Sequence, residues 1–146
     1  MKPGEDGITH INVYSKGKTE LGVALSNFTY APFIHPEDGE FNSVEGYWYW
    51  LGCKDDRLRK LCGYKAKELG RELRAKDWRE DEETKRKVRL ALDAKIKQDP
   101  LLQRLLKESS LPFEHYYVYG DKVVEVKKGR WVLEHIELIR KNLNDE

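Results

Sequence analysis

Glu45 stands just ahead of four aromatic residues, Tyr47-Trp48-Tyr49-Trp50. A carboxyl in that place has two readings. In the first turn of a helix it complements the helix dipole. Buried among aromatic rings it acquires a raised pKa, which suits a general acid working near neutral pH. Arg71, after Gly70, is either an i,i+4 ion-pair partner or a bidentate clamp on phosphate, for which the planar guanidinium is suited. Trp78 is a large apolar side chain among Lys76, Asp77, Arg79 and Glu80. It either anchors a loop to the core or stacks on a ring-shaped ligand. Leu25-Ser26-Asn27-Phe28 brings a hydroxyl, an amide and a ring into one loop, and His115-Tyr116-Tyr117-Val118-Tyr119-Gly120-Asp121 forms a second polar and aromatic cluster.

Other chemistries lack their residues. The chain has no glycine-rich phosphate loop of either common type, and no nucleophile elbow. Cys53 and Cys62 are wrongly spaced for a zinc site and have no second Cys/His pair nearby. His135, within Leu133-Glu134-His135-Ile136-Glu137, does not follow the metalloprotease pattern and reads as a surface residue. Neither a metal nor a cofactor is expected.

The elements that must position these groups read as α+β: mostly helical, with a small antiparallel sheet. Residues 8–14 suggest a strand and 20–28 a loop. Residues 29–35 are β-branched and aromatic but interrupted by proline, which restricts any strand to an edge; Glu37-Asp38-Gly39-Glu40 then turns the chain back through Phe41. Ser43 is a plausible N-cap for a helix through Trp50. Short helical pieces follow at 55–63 and 64–69, with Gly70-Arg71 beyond them. The apolar spacing of Val88, Ala91, Leu92 and Ile96 predicts a helix over 81–98. Asp99-Pro100 starts another, carrying Leu101, Leu102, Leu105 and Leu106. A hairpin over Gly120-Asp121 and a helix over 130–142 complete the chain. Tyr64 and Trp131 read as core.

The chain has 146 residues, 39% hydrophobic and 36% charged, a size and composition expected of one domain, with residues 1–7 as a frayed tail. It carries 27 Lys and Arg against 26 Asp and Glu, net +1, so no overall field draws it to nucleic acid or membrane. The charge is unevenly placed: residues 54–97 hold sixteen basic against ten acidic groups. That stretch is either a solvated pair of helices laced with i,i+4 pairs or, in part, a face for a phosphate-bearing ligand. No apolar run approaches the ~20 residues that span a bilayer, and the polar amino end lacks the apolar middle of a signal peptide. A soluble, cytoplasmic protein without a membrane partner is expected; oligomeric state is left open.

Taken in order, several of these segments resemble the NADAR family, the NAD- and ADP-ribose-associated proteins that include the YbiA-like N-glycosidases. The matching pieces are Leu25-Ser26-Asn27-Phe28, Ser43-Val44-Glu45-Gly46-Tyr47, Gly70-Arg71, Asp77-Trp78, the helical stretch 88–96, and Asp99-Pro100-x-Leu102 through Leu106. The resemblance covers residues 11–140 and implies a single NADAR-like domain over 1–146. It further implies hydrolysis of an N-glycosidic bond on ribose. Known activities in the family are removal of ADP-ribose from modified guanine in nucleic acid and cleavage of a phosphoribosylamino-pyrimidine intermediate of riboflavin synthesis. By position, Glu45 is the catalytic carboxylate, Trp78 a stacking or catalytic pocket residue and Arg71 a phosphate ligand. Ser26, Asn27, Phe28, Trp48, Gly70, Tyr116 and Tyr119 are the further ligand-binding candidates. Two positions depart from the family pattern. Gly46 stands in place of the family's His, and Tyr116 in place of a carboxy-terminal Asp. Asp121, five residues on, is the substitute catalytic candidate if the hairpin turns it inward. The expected ligand is an ADP-ribosyl or phosphoribosyl compound, with ADP-ribosylated nucleic acid as a partner; the alternative is a binding module that recognises ADP-ribose without cleaving it.

Overall fold

A computed structural model describes residues 2–74 and 78–145. The fold is mixed α+β and mainly helical, and the chain divides into two compact units, Met1–Ser26 with Pro100–Glu146, and Asn27–Asp99. No helix among the described residues is long and apolar enough to cross a membrane.

The first unit joins the two ends of the chain. Strand β1 (Ile11–Asn12) pairs in parallel with β4 (Phe113–Glu114), Ile11 opposite Phe113. Beyond them the Asn12 side chain acts as a strand backbone, donating from Nδ2 to the Tyr116 carbonyl and accepting the Tyr116 N–H at Oδ1, both at 3.0 Å. Helices α1 (Glu20–Leu25), α5 (Pro100–Glu108) and α6 (Arg130–Asn144) bury Leu21, Leu25, Leu102, Leu106 and Ile136. β5 (Tyr116–Tyr119) and β6 (Lys122–Glu125) form the expected antiparallel hairpin.

Several expectations are corrected in this unit. Residues 20–25 are helical, because the Thr19 hydroxyl caps them by accepting the Gly22 N–H at 2.8 Å. The strand read over 8–14 shrinks to two residues. Across both units the expected antiparallel pairing is present in two of the three two-stranded ladders among the described residues, and the third, β1 with β4, is parallel. Within the segment expected to fray, Pro3–Glu5 make a 3-10 turn, and the buried Asp6 carboxylate accepts the N–H groups of Asn12 and Lys18, each at 2.9 Å.

The second unit is built around α2 (Val44–Cys53), followed by a 3-10 turn (Asp56–Lys60), α3 (Gly63–Leu73) and α4 (Glu82–Lys97). The hairpin β2 (Phe33–His35) and β3 (Gly39–Phe41) presents Phe33 and Phe41 to Tyr47, with ring centroids 6.1 and 4.8 Å away. The Tyr47 hydroxyl donates to Asp38 at 2.6 Å and meets His35 Nε2 at 3.0 Å. His35 Nδ1 accepts two turn N–H groups, from Glu37 and Asp38, so its Nε2 carries the proton and also donates to the Lys87 carbonyl. This satisfied polar network pins the hairpin to α2 and α4. In α4, Lys95 is 2% exposed; burial pushes its ammonium down to about 7, against the opposing charge of Asp99. Tyr64, expected in the core, is 63% exposed, and Trp131 in the first unit is half-buried.

Candidate functional site

Glu45 opens α2 because Ser43 caps it. The Ser43 hydroxyl accepts the Gly46 N–H at 3.0 Å and donates to the Leu61 carbonyl at 2.9 Å, joining the helix start to the chain beyond the 3-10 turn. The Glu45 N–H, left over at the helix end, donates to the Asn27 carbonyl at 2.9 Å. Gly46 has no room for a side chain: a Cβ there would lie 2.6 Å from the Leu58 carbonyl oxygen. A histidine, expected there from the NADAR resemblance, therefore has no space at this position.

From this start α2 presents two faces. Val44, Tyr47 and Trp50 are buried on the hairpin side. Glu45, Trp48, Tyr49 and Gly52 follow at i, i+3, i+4 and i+7 and share the other face. That second face meets α3 and Trp78. A Cβ on Gly70 would lie 2.1 Å from Tyr49 Cγ, and one on Gly52 2.8 Å from Trp78 Cδ1, so the Tyr49 ring rests on the α3 backbone and the Trp78 indole on the α2 backbone. Both glycines serve as seats for rings. The expectation that α3 ends before Gly70 is corrected, for the helix runs through Leu73 and carries Gly70-Arg71 inside it.

That extension places Lys67, Gly70 and Arg71 together on one face of α3, at i, i+3 and i+4. Burial raises the Glu45 carboxyl above the ordinary glutamate range, while the charges of Lys67 and Arg71 pull it back down in part. The acid and two cations thus act on one another from facing helices. Arg74, just past the end of α3, holds its guanidinium 5.9 Å from the centroid of the same Tyr49 ring. Trp78 is half-buried over Gly52, seven residues or about 10 Å along the α2 axis from Glu45.

The loop behind Glu45 adds an amide and a ring. Asn27 Oδ1 is buried without a hydrogen-bond partner among the described residues. Phe28 meets Tyr64 edge-on, centroids 5.1 Å apart, and its carbonyl accepts the Gly63 N–H at 2.9 Å. Asn27, Phe28, Glu45, Trp48, Gly70, Arg71 and Trp78 therefore belong to one unit. Asp77 lies outside the described residues.

The other candidates lie in the first unit. Ser26 is a buried residue whose N–H closes the end of α1 on Val23. Tyr116 is fully buried, its hydroxyl hydrogen-bonded to His10 Nε2, and burial pushes it up to about 12. Tyr119 is 60% exposed, and Asp121 is exposed in the turn between β5 and β6, so the hairpin does not turn that carboxylate inward. Sequence reasoning missed Tyr49 and Arg74. For Tyr49 the signal was present, since it stands one helical turn after Glu45.

Among the described residues no group of three or more His, Cys, Asp or Glu side chains gathers as metal ligands. No family model matches the sequence, and no curated protein matches it. Among solved structures, the NMR structure of the E. coli protein YbiA is similar, with a TM-score of 0.65 over 98% of this chain and 93% of that one, at 19% sequence identity. The likeness is one of fold.

Proposed function

We propose that the chain is an N-glycoside hydrolase acting on an ADP-ribosyl or phosphoribosyl adduct, with ADP-ribosyl removal from a modified nucleobase as the favoured reaction. The observation that carries this reading is the Glu45 carboxyl, raised by burial yet faced by Lys67 and Arg71. In such a hydrolysis the C1′–N bond breaks, positive charge develops on the ribose as an oxocarbenium ion, and water supplies the hydroxyl that ends on C1′. The leaving nitrogen takes up a proton. A carboxyl held protonated closer to neutrality suits that donation, and the resulting carboxylate can then draw the proton from the incoming water. Arg71 and Lys67 supply charge for the phosphates. Trp78 or Trp48 offers an indole for stacking on a base, worth ~1–3 kcal/mol. The Asn27 amide supports the reading as well, because a buried acceptor without a partner costs ~1–3 kcal/mol that a ligand hydroxyl would recover. No step in this scheme calls for a metal or cofactor.

A second reading, an ADP-ribose-binding module without hydrolysis, is favoured by one observation. The family's carboxy-terminal Asp has no counterpart, since Tyr116 is buried on His10 and Asp121 faces solvent. A panel of ADP-ribosylated oligonucleotides, ADP-ribosylated proteins and a phosphoribosylamino-pyrimidine, followed by mass spectrometry without added metal, separates the two. Release of the free ribosyl product supports the hydrolase, and saturable binding with no release supports the module. Cleavage of the pyrimidine compound alone would move the assignment to the riboflavin-type reaction.

A further inference from the structure

The Tyr49 ring touches α3 where its backbone is barest. A Cβ on Gly70 would come within 2.1 Å of Tyr49 Cγ and 2.5 Å of both Cδ atoms, so the ring packs directly on the α3 backbone there. Arg74 holds its guanidinium toward the same ring, 5.9 Å from the centroid. Tyr49 lies one turn beyond Glu45 on α2, and Gly70 lies between Lys67 and Arg71 on α3. The ring therefore stands beside the place where the acid faces the two cations.

We propose that Tyr49 is a positioning residue: seated on Gly70, its ring sets the spacing of α2 and α3, and with it the distance from the Glu45 carboxyl to the charges of Lys67 and Arg71. A rigid ring suits this task because interiors resist compression, and neither helix can approach without a clash or withdraw without a void. Its importance for catalysis rests on the function proposed above, but the geometric claim does not. The hydroxyl plays no part in the spacing; the ring does.

The test is a carbon-13 NMR titration of the Glu45 carboxyl in the ligand-free protein. Gly70→Ala inserts a methyl where the ring sits and forces α3 away, so the two cations recede and Glu45 titrates at higher pH than in wild type. Tyr49→Ala removes the spacer and displaces the midpoint, whereas Tyr49→Phe keeps the ring and the wild-type midpoint. Pyrophosphate affinity falls roughly two- to fivefold in Gly70→Ala, as expected for loosened exposed charge contacts. If Gly70→Ala does not fold, the contrast between Tyr49→Ala and Tyr49→Phe decides. An unchanged Glu45 midpoint in folded Tyr49→Ala overturns the proposal. Because the titration needs no substrate, failure of the hydrolase reading leaves a separate signature, namely a spacing effect without turnover.

Discussion

The backbone N–H of Glu45 donates to the backbone carbonyl of Asn27 at 2.9 Å. One hydrogen bond thus fixes the first turn of α2 to the loop that carries the Asn27 amide and the Phe28 ring. The same turn is held a second time by Ser43, which bonds to Gly46 ahead and to Leu61 across. A carboxyl mounted on a doubly tied helix start, rather than on a mobile loop, is held in place before any ligand arrives. The cost of that arrangement is a desolvated acid.

That cost is measurable as stability. The folded chain holds the Glu45 proton more tightly than the unfolded chain does, so ionising it lowers stability as pH rises from the ordinary carboxylate range through the raised value. Glu45→Gln has no such limb. Urea unfolding at pH 4 and pH 7 should show the variant close to wild type at the lower pH and more stable at the higher. An equal difference at both values would remove desolvation as the controlling feature of Glu45.

Position 46 tests the local backbone. With the Leu58 carbonyl oxygen 2.6 Å from where a Cβ would sit, Gly46→Ala should cost ~1–3 kcal/mol, and the larger side chain of Gly46→His should cost more. Chemical denaturation of both variants checks this; a His variant as stable as wild type would show that the 3-10 turn yields readily.

Lys95 has the opposite charge logic. Folded Lys95 loses its proton near 7, whereas an unfolded lysine keeps it to about 10.4. The unfolded state binds more protons across that window, so this residue makes stability rise with pH there, by about 1.4 kcal/mol per pH unit at most. Thermal midpoints of wild type and Lys95→Met at pH 6 and pH 9 should diverge in favour of wild type as pH increases. Parallel pH profiles would mean that Lys95 keeps its charge inside the fold.

Much of this architecture was legible before any coordinates. Ser43 caps α2 as its side chain suggests, α4 lies within the helix read over 81–98, and the turns at Glu37-Asp38-Gly39-Glu40 and Gly120-Asp121 join hairpins. What was hidden depends on distant partners. The β1–β4 ladder pairs residues from opposite ends of the chain, which no local pattern announces. Gly70 reads as a helix breaker until the Tyr49 ring is seen resting on it, and Trp78 reads as stranded until Gly52 is seen beneath it. Tyr64 misled for a related reason. A single aromatic among charges carries no periodic signal of burial, and this one leans on Phe28 while facing solvent. The candidate site was readable in its residue types, and the missing part was the facing of α2 and α3.

The most direct measurement is release of free ADP-ribose from an ADP-ribosylated single-stranded oligonucleotide, followed by mass spectrometry in the presence of a chelator, for wild type and Glu45→Gln at matched ligand occupancy. Wild type should release the product, and the variant should bind equally while turning over at least about 100-fold more slowly, the usual scale of a lost proton donor. Release by Glu45→Gln at the wild-type rate, or binding by wild type with no release at all, would contradict the assignment.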